Sequence, residues 1–267
     1  MTSARPGSPG APPREPLDGL RAVVTGAAGG IGSAIVRRLI DHGATVYGLD
    51  RDPSVEQRLA RELESTGRFF AHVVDLGHRA AMDRALARLT EELAGRCDVM
   101  VNNAGVSRWR AFAESDDELL DSLLAVNLTA AFRITRALLP ALRASGRASI
   151  VNIASELALI GQPGYSAYCA TKGAVLAWSR ALAVELAPSG IRVNAVCPGP
   201  IDTAMLNAEF EALGDRVQAR ADEIATVPLG RLGTPQDVAA VVAFLASDAA
   251  GFVSGAAWTV DGGKTAR

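Results

Sequence analysis

Residues 21–25, Arg-Ala-Val-Val-Thr, pass directly into Gly26-Ala27-Ala28-Gly29-Gly30-Ile31-Gly32 and then into an amphipathic stretch reaching about His42. An apolar run, a glycine-rich turn and a helical periodicity read as strand, turn and helix. Glycines there let the backbone approach a pyrophosphate, and the unpaired amides of a helix N-terminus favour such an anion. A second apolar run, 45–49, ends on Asp50, twenty-four residues after Gly26. A carboxylate at that place accepts hydrogen bonds from an adenosine ribose and repels a 2′-phosphate, so NAD is expected over NADP. Arg51 softens that repulsion, while Gly29 offers no second cation.

The alternation continues. Helix is expected near 54–65, 79–93, 116–139 and 235–246, and strand at 69–74, 99–101, 148–154, 192–196 and 257–260. This pattern predicts an α/β chain forming one Rossmann-type, doubly wound parallel sheet of about seven strands with helices on both faces. Ligands then bind outside the carboxyl ends of the strands, where Asp50, Asp75 and Asn102 fall. At 267 residues no second domain is required. Residues 1–17 hold five of the thirteen prolines and read as a disordered extension to a domain spanning 18–267.

Chemistry concentrates in Tyr168-Cys169-Ala170-Thr171-Lys172, where a phenol and an ammonium four residues apart share one helix face. Only two lysines, Lys172 and Lys264, stand against twenty-five arginines, so a lysine at 172 implies a need for its slim ammonium. A nearby cation is expected to lower the phenol from its usual pKa of about 10. Ser155, at a strand end thirteen residues before Tyr168, can face that phenol once Gly161, Pro163 and Gly164 turn the chain back. It has neither an activating histidine nor a G-x-S-x-G elbow, which argues against a hydrolase nucleophile. Asn127 is an amide in an otherwise apolar stretch and needs buried partners, a neighbouring backbone being the plain choice.

Other classes are disfavoured. The net charge of −2 carries no basic run for nucleic acid or a membrane surface, and no apolar run of about 18 residues stands out. Cys97, Cys169 and Cys197 read as reduced thiols of a cytoplasmic protein, and His42, His72 and His78 form no metal set.

TGAAGGIG, NNAG, Asn127, Ser155, YCATK and Pro198-Gly199 together resemble the short-chain dehydrogenase/reductase family over residues 20 to 263. The resemblance implies a catalytic tetrad of Asn127, Ser155, Tyr168 and Lys172, with Asn127 holding a water behind the lysine. It implies cofactor contacts at Gly26, Gly30, Ile31, Gly32, Asp50, Asp75, Leu76 and Asn102 as well as at Tyr168 and Lys172. Ile201 and Thr203 are implied for the nicotinamide, a lid at about 203–227, and a homo-oligomer, tetramer or dimer, joined through the Tyr168 helix. Ala154 departs from the pattern, since many members carry a second serine there.

The expected activity is NAD-dependent interconversion of a secondary alcohol and its ketone, the substrate being medium-sized, cyclic or partly apolar. Trp109, Leu157, Leu159, Tyr165, Met205, Leu206 and Phe210 are expected in loops bordering it, and Glu156, Gln162, Arg108 and Arg110 could meet its polar groups. The alternatives are an NADPH-dependent 3-oxoacyl-carrier-protein reductase and a non-catalytic dinucleotide sensor. A nucleotide-sugar epimerase would need a further substrate domain.

Overall fold

The computed structural model describes residues 16–266. The strands are β1 (Arg21–Thr25), β2 (Thr45–Asp50), β3 (Phe69–Val73), β4 (Val99–Asn102), β5 (Ser149–Ile153), β6 (Arg192–Pro198) and β7 (Ala257–Val260). They form one seven-stranded sheet in the order β3-β2-β1-β4-β5-β6-β7. All neighbours are parallel, which is the expected single-domain Rossmann-type fold. Chain direction across the sheet reverses between β1 and β4, opening a crevice outside their carboxyl ends.

The helices are α1 (Gly30–Asp41), α2 (Arg61–Leu63), α3 (Arg79–Glu92), α4 (Asp117–Leu124), α5 (Ala131–Ser145), α6 (Ser166–Leu186), α7 (Ala204–Ala212), α8 (Arg216–Ala225) and α9 (Pro235–Ala246). Ile35 and Leu39 of α1 meet Val238 and Val242 of α9 in the core on one face of the sheet. Leu86 and Leu89 of α3, Ile134 and Leu138 of α5 and Leu186 of α6 fill the other. With both faces covered, β4 and β5 are buried at every position, as apolar parallel strands should be. Each such leucine or isoleucine contributes about 2 kcal/mol by leaving water.

Several boundaries differ from expectation. The predicted helix over 54–65 begins as a wide turn, Val55–Ala60, and reaches regular winding only in α2. The predicted helix over 116–139 is α4, a second wide turn at Ala125–Ala130, and α5, which continues past Pro140 to Ser145. Pro140 and Arg136, whose carbonyl loses its usual partner, are both exposed, so the freed carbonyl lies on the solvent side of the helix. The continuous helix 117–145 therefore has the length and mean hydropathy, 1.3 over 18 residues, of a membrane span, although no such run stood out in the sequence. Here Leu123, Ile134, Leu138 and Leu142 are buried, the last three in the core on one face of the sheet. Of the expected extension, residues 1–15 lie outside the described residues. Leu17 belongs to the fold: it is buried and its N–H donates to the His42 carbonyl at 2.8 Å.

Candidate active site

At the end of β1, Gly26 takes a φ of 67°, and a Cβ there would lie 2.9 Å from the Ala104 Cα. A Cβ on Gly32 would come within 1.9 Å of the Gly26 carbonyl oxygen. One on Gly30 would meet the Thr203 methyl at 2.8 Å. The turn is thus packed to the limit, by backbone at Gly26 and Gly32 and by the Thr203 side chain at Gly30. Asn103 fastens it to the loop after β4, donating from Nδ2 to the Thr25 and Gly26 carbonyls at 2.9 and 3.1 Å. The amides of Asn103 and Ala104 both donate to the Thr25 hydroxyl at 3.0 Å.

Helix α1 starts at Gly29 with no side-chain cap and no acidic residue in its first turn. By contrast α4, α7, α8 and α9 each start at a side-chain cap. Leaving those amides open fits the pyrophosphate of a dinucleotide. Asp50 flanks the turn, its carboxylate accepting from the Ala28 amide at 2.8 Å and the Asp52 amide at 2.9 Å.

One cavity of about 1060 Å³ is lined by Gly26, Gly30, Ile31, Gly32, Asp50, Asp75, Leu76, Ser155, Tyr168, Lys172, Ile201 and Thr203. Two of the expected catalytic and cofactor residues do not line it. The Asn102 side chain is buried within the sheet, donating to the Thr135 hydroxyl at 2.9 Å and the Asn152 amide oxygen at 2.7 Å. Side chains alternate along a strand, so it is Asn103 that comes to the crevice. Asn127 stands behind the cavity on the wide turn between α4 and α5. Its Oδ1 accepts from the Val106 amide at 2.8 Å, and its Nδ2 donates to the Val106 carbonyl and the Thr171 hydroxyl, each at 3.0 Å. Gly105 gives the lysine room beside this amide, since a Cβ there would sit 3.2 Å from the Lys172 Nζ and 3.3 Å from the Asn127 Oδ1.

Ser155 accepts from the Leu157 amide at 3.1 Å, which turns the chain back and leaves its hydroxyl hydrogen-bonded to Tyr168. Lys172 donates to the Ile153 carbonyl at 2.9 Å, with its Nζ 5.8 Å from the centre of the Tyr168 ring. Burial pushes the ammonium down to about 8. The phenol moves opposite to expectation. Burial raises it above its ordinary value, the Ser155 hydrogen bond opposes the rise, and the Glu209 and Glu156 carboxylates add to it. Desolvation of a phenolate outweighs what the Ser155 hydrogen bond returns.

Of the expected substrate contacts, Trp109, Leu157, Tyr165, Met205, Leu206 and Phe210 line the cavity, as do Glu156 and Gln162. Met205, Leu206 and Phe210 lie on α7 and not in a loop, the segment expected as a lid being folded into the two helices α7 and α8. Leu159, Arg108 and Arg110 do not line it, and Arg110 pairs instead with Asp116 at 3.4 Å.

Sequence reasoning missed Lys264. It is buried, donating to Glu156 at 2.9 Å and to Glu223 of α8 at 2.6 Å, and so ties α8 to the turn after Ser155. Its rarity among basic residues was a signal, read only for Lys172.

The family model described as "Enoyl-(Acyl carrier protein) reductase" matches residues 26–265. The chain is 36% identical over 247 residues to 2-(S)-hydroxypropyl-CoM dehydrogenase 3 of Xanthobacter autotrophicus, covering 91% of this chain and 95% of that one. It is 36% identical over 248 residues to the 3-oxoacyl-[acyl-carrier-protein] reductase FabG of Thermotoga maritima, covering 92% and 98%. Among solved structures it resembles a candidate NAD(P)-dependent gluconate 5-dehydrogenase from Beutenbergia cavernae with NADP bound at low occupancy. That likeness has a TM-score of 0.87 and 38% identity over 96% of this chain and 100% of the other.

Proposed function

Because the chain belongs to the short-chain dehydrogenase/reductase family, oxidoreductases of CH–OH and keto groups that bind a nicotinamide dinucleotide, we propose that it interconverts a secondary alcohol and its ketone with NAD, Tyr168 being the acid/base. The observation that carries this reading is the convergence of Ser155, Tyr168 and Lys172 on the cavity that also holds the glycine turn.

The dinucleotide would be held by the open amides of α1, by Asp50 at its adenosine end, and by Ile201 and Thr203 near the reacting ring. When bound, it accepts or supplies the hydride. In reduction the Tyr168 Oη gives its proton to the forming alkoxide; in oxidation it takes the hydroxyl proton. Ser155 donates to the reacting oxygen as charge develops there. Lys172 stabilises the phenolate, and Asn127 keeps the loop at Val106 and the Thr171 turn in place around that lysine. The site is apolar on its α7 side, which supports a partly apolar substrate of medium size.

Asp50 supports NAD over NADP, since its carboxylate would face a 2′-phosphate; Arg51 and Arg58 line the same end and weaken the preference. A second reading, reduction of a 3-oxoacyl-carrier-protein with NADPH, is favoured by the likeness to the Thermotoga enzyme and opposed by Asp50. Steady-state kinetics with NADH and NADPH on a panel of ketones decide between them: a higher kcat/KM with NADH is expected, and a preference for NADPH together with an acyl thioester overturns the first reading. Self-association is part of the same proposal. Exposed Val184 of α6 lies on the helix whose Trp178 packs beside exposed Phe132 of α5, ring centres 6.0 Å apart, leaving an apolar face open. Light scattering should report more than one chain.

A further inference from the structure

The substrate end of the cavity is lined by Glu156, Glu209, Asp215, Asp222 and Glu223, and among the described residues lining that end the single cation is Lys172. Arg51 and Arg58 also line the cavity, but beside Asp50 at the adenosine end. Most of the acidic groups have part of their capacity engaged. Glu209 accepts from the Tyr165 hydroxyl at 2.9 Å, Asp215 caps α8, and Asp222 accepts from Gln218 at 2.7 Å.

Glu156 differs from the rest. It is only 5% exposed and follows Ser155 directly. Its Oε1 accepts from Lys264, an ammonium already shared with Glu223. Its Oε2 has no hydrogen-bond partner and lies over Gly199, where a Cβ would be 3.1 Å away, and Gly199 is itself a lining residue. A buried carboxylate oxygen without a donor is costly, and a donor brought by a ligand removes that cost. Two carboxylates sharing one ammonium also leave the pair short of positive charge, so an entering anion meets like charge while an entering cation does not.

Resting on the reading of this cavity as a dehydrogenase site, we propose that its substrate carries a hydrogen-bond donor, best an ammonium, and no anionic group, and that Glu156 selects it. Amino alcohols, amino ketones and polyols are the matching chemistry, with the exposed Trp109 ring on the cavity wall as a second surface for a cation.

The test is a matched series, 1-amino-2-propanol, 1,2-propanediol, 2-butanol and 3-hydroxybutyrate, given to the wild-type protein with NAD. Binding to the protein–NADH complex is measured by calorimetry and turnover by absorbance. The expected order of affinity is amine, diol, alkanol, acid, with roughly tenfold or more between first and last, the size of one unfavourable like-charge contact. Glu156→Gln should shrink the amine-to-acid ratio by a similar factor, and Glu209→Gln, at a less buried position, serves if that variant fails to fold. Acid binding as tight as amine binding overturns the inference whatever the turnover. Tighter amine binding with no turnover of any compound upholds it and overturns the dehydrogenase reading instead.

Discussion

The end of the cavity at the glycine turn is shaped by close packing around three glycines, and the end beside Glu156 is fastened by ion-paired side chains. Gly26, Gly30 and Gly32 leave no room for a Cβ, and Asn103 ties the two adjoining loops through three hydrogen bonds, two from its side chain and one from its amide. The other end is held by Lys264 reaching Glu156 and Glu223 across 108 and 41 residues of sequence. Steric fit tolerates almost no substitution yet serves any dinucleotide; ion pairs can be exchanged one at a time. A chain built this way keeps its cofactor site while its substrate changes.

The largest expected effect lies where the two ends meet. Tyr168→Phe should lower kcat about a thousandfold, the usual weight of a positioned acid/base, with dinucleotide affinity unchanged by fluorescence titration. A parallel loss of affinity would mean that the ends are not separable. Lys264→Met should test the ion-paired end: removing one partner from a buried pair costs about 3 kcal/mol. For a chain of this size that lowers Tm by roughly 6–12 °C in calorimetry. KM should rise more than kcat falls, because α8 loses its tie beside the cavity. Gly32→Ala should weaken dinucleotide binding on the order of a hundredfold, as a shift of about 1 Å at a positioned site does. An affinity unchanged in that variant would break the contrast at its rigid end. Asp50→Ser should move the NADP to NAD ratio of kcat/KM upward by about tenfold, by removing one like-charge contact.

A separate effect lies in the pH profile. Burial holds the Tyr168 phenol above its ordinary value, so the phenolate fraction grows with pH across the neutral range. Alcohol oxidation, which needs the phenolate, should therefore climb by up to about tenfold per pH unit, while ketone reduction, which needs the phenol, stays nearly level. Reduction should bend only near pH 8, where Lys172 loses its charge.

The same contrast explains what the sequence shows. Glycine spacing and strand-end carboxylates are local, so the fold, the turn and the Ser155, Tyr168 and Lys172 positions are readable along the chain. Asn102 was assigned in place of Asn103 because spacing locates a loop but not which of two adjacent side chains faces out of the sheet. The partners of Lys264 were not readable, because sequence spacing reveals ion pairs at helical intervals such as i, i+4 and not across 108 or 41 residues. The direction of the Tyr168 shift was missed because adjacency reveals the ammonium, whereas desolvation depends on what the fold lays over it.

The order of the strands also carries a consequence in time. β1 to β4 are complete by Asn102 and can pair early, but the part of the α1 apolar face that meets α9 stays uncovered until Pro235–Ala246. Partners so distant along the chain slow folding, and bare apolar surface invites aggregation in the interval. An emerging polypeptide therefore spends most of its synthesis with one side of a half-built sheet wet, and its recovery from cells should depend on holding chaperones more than its finished stability would indicate.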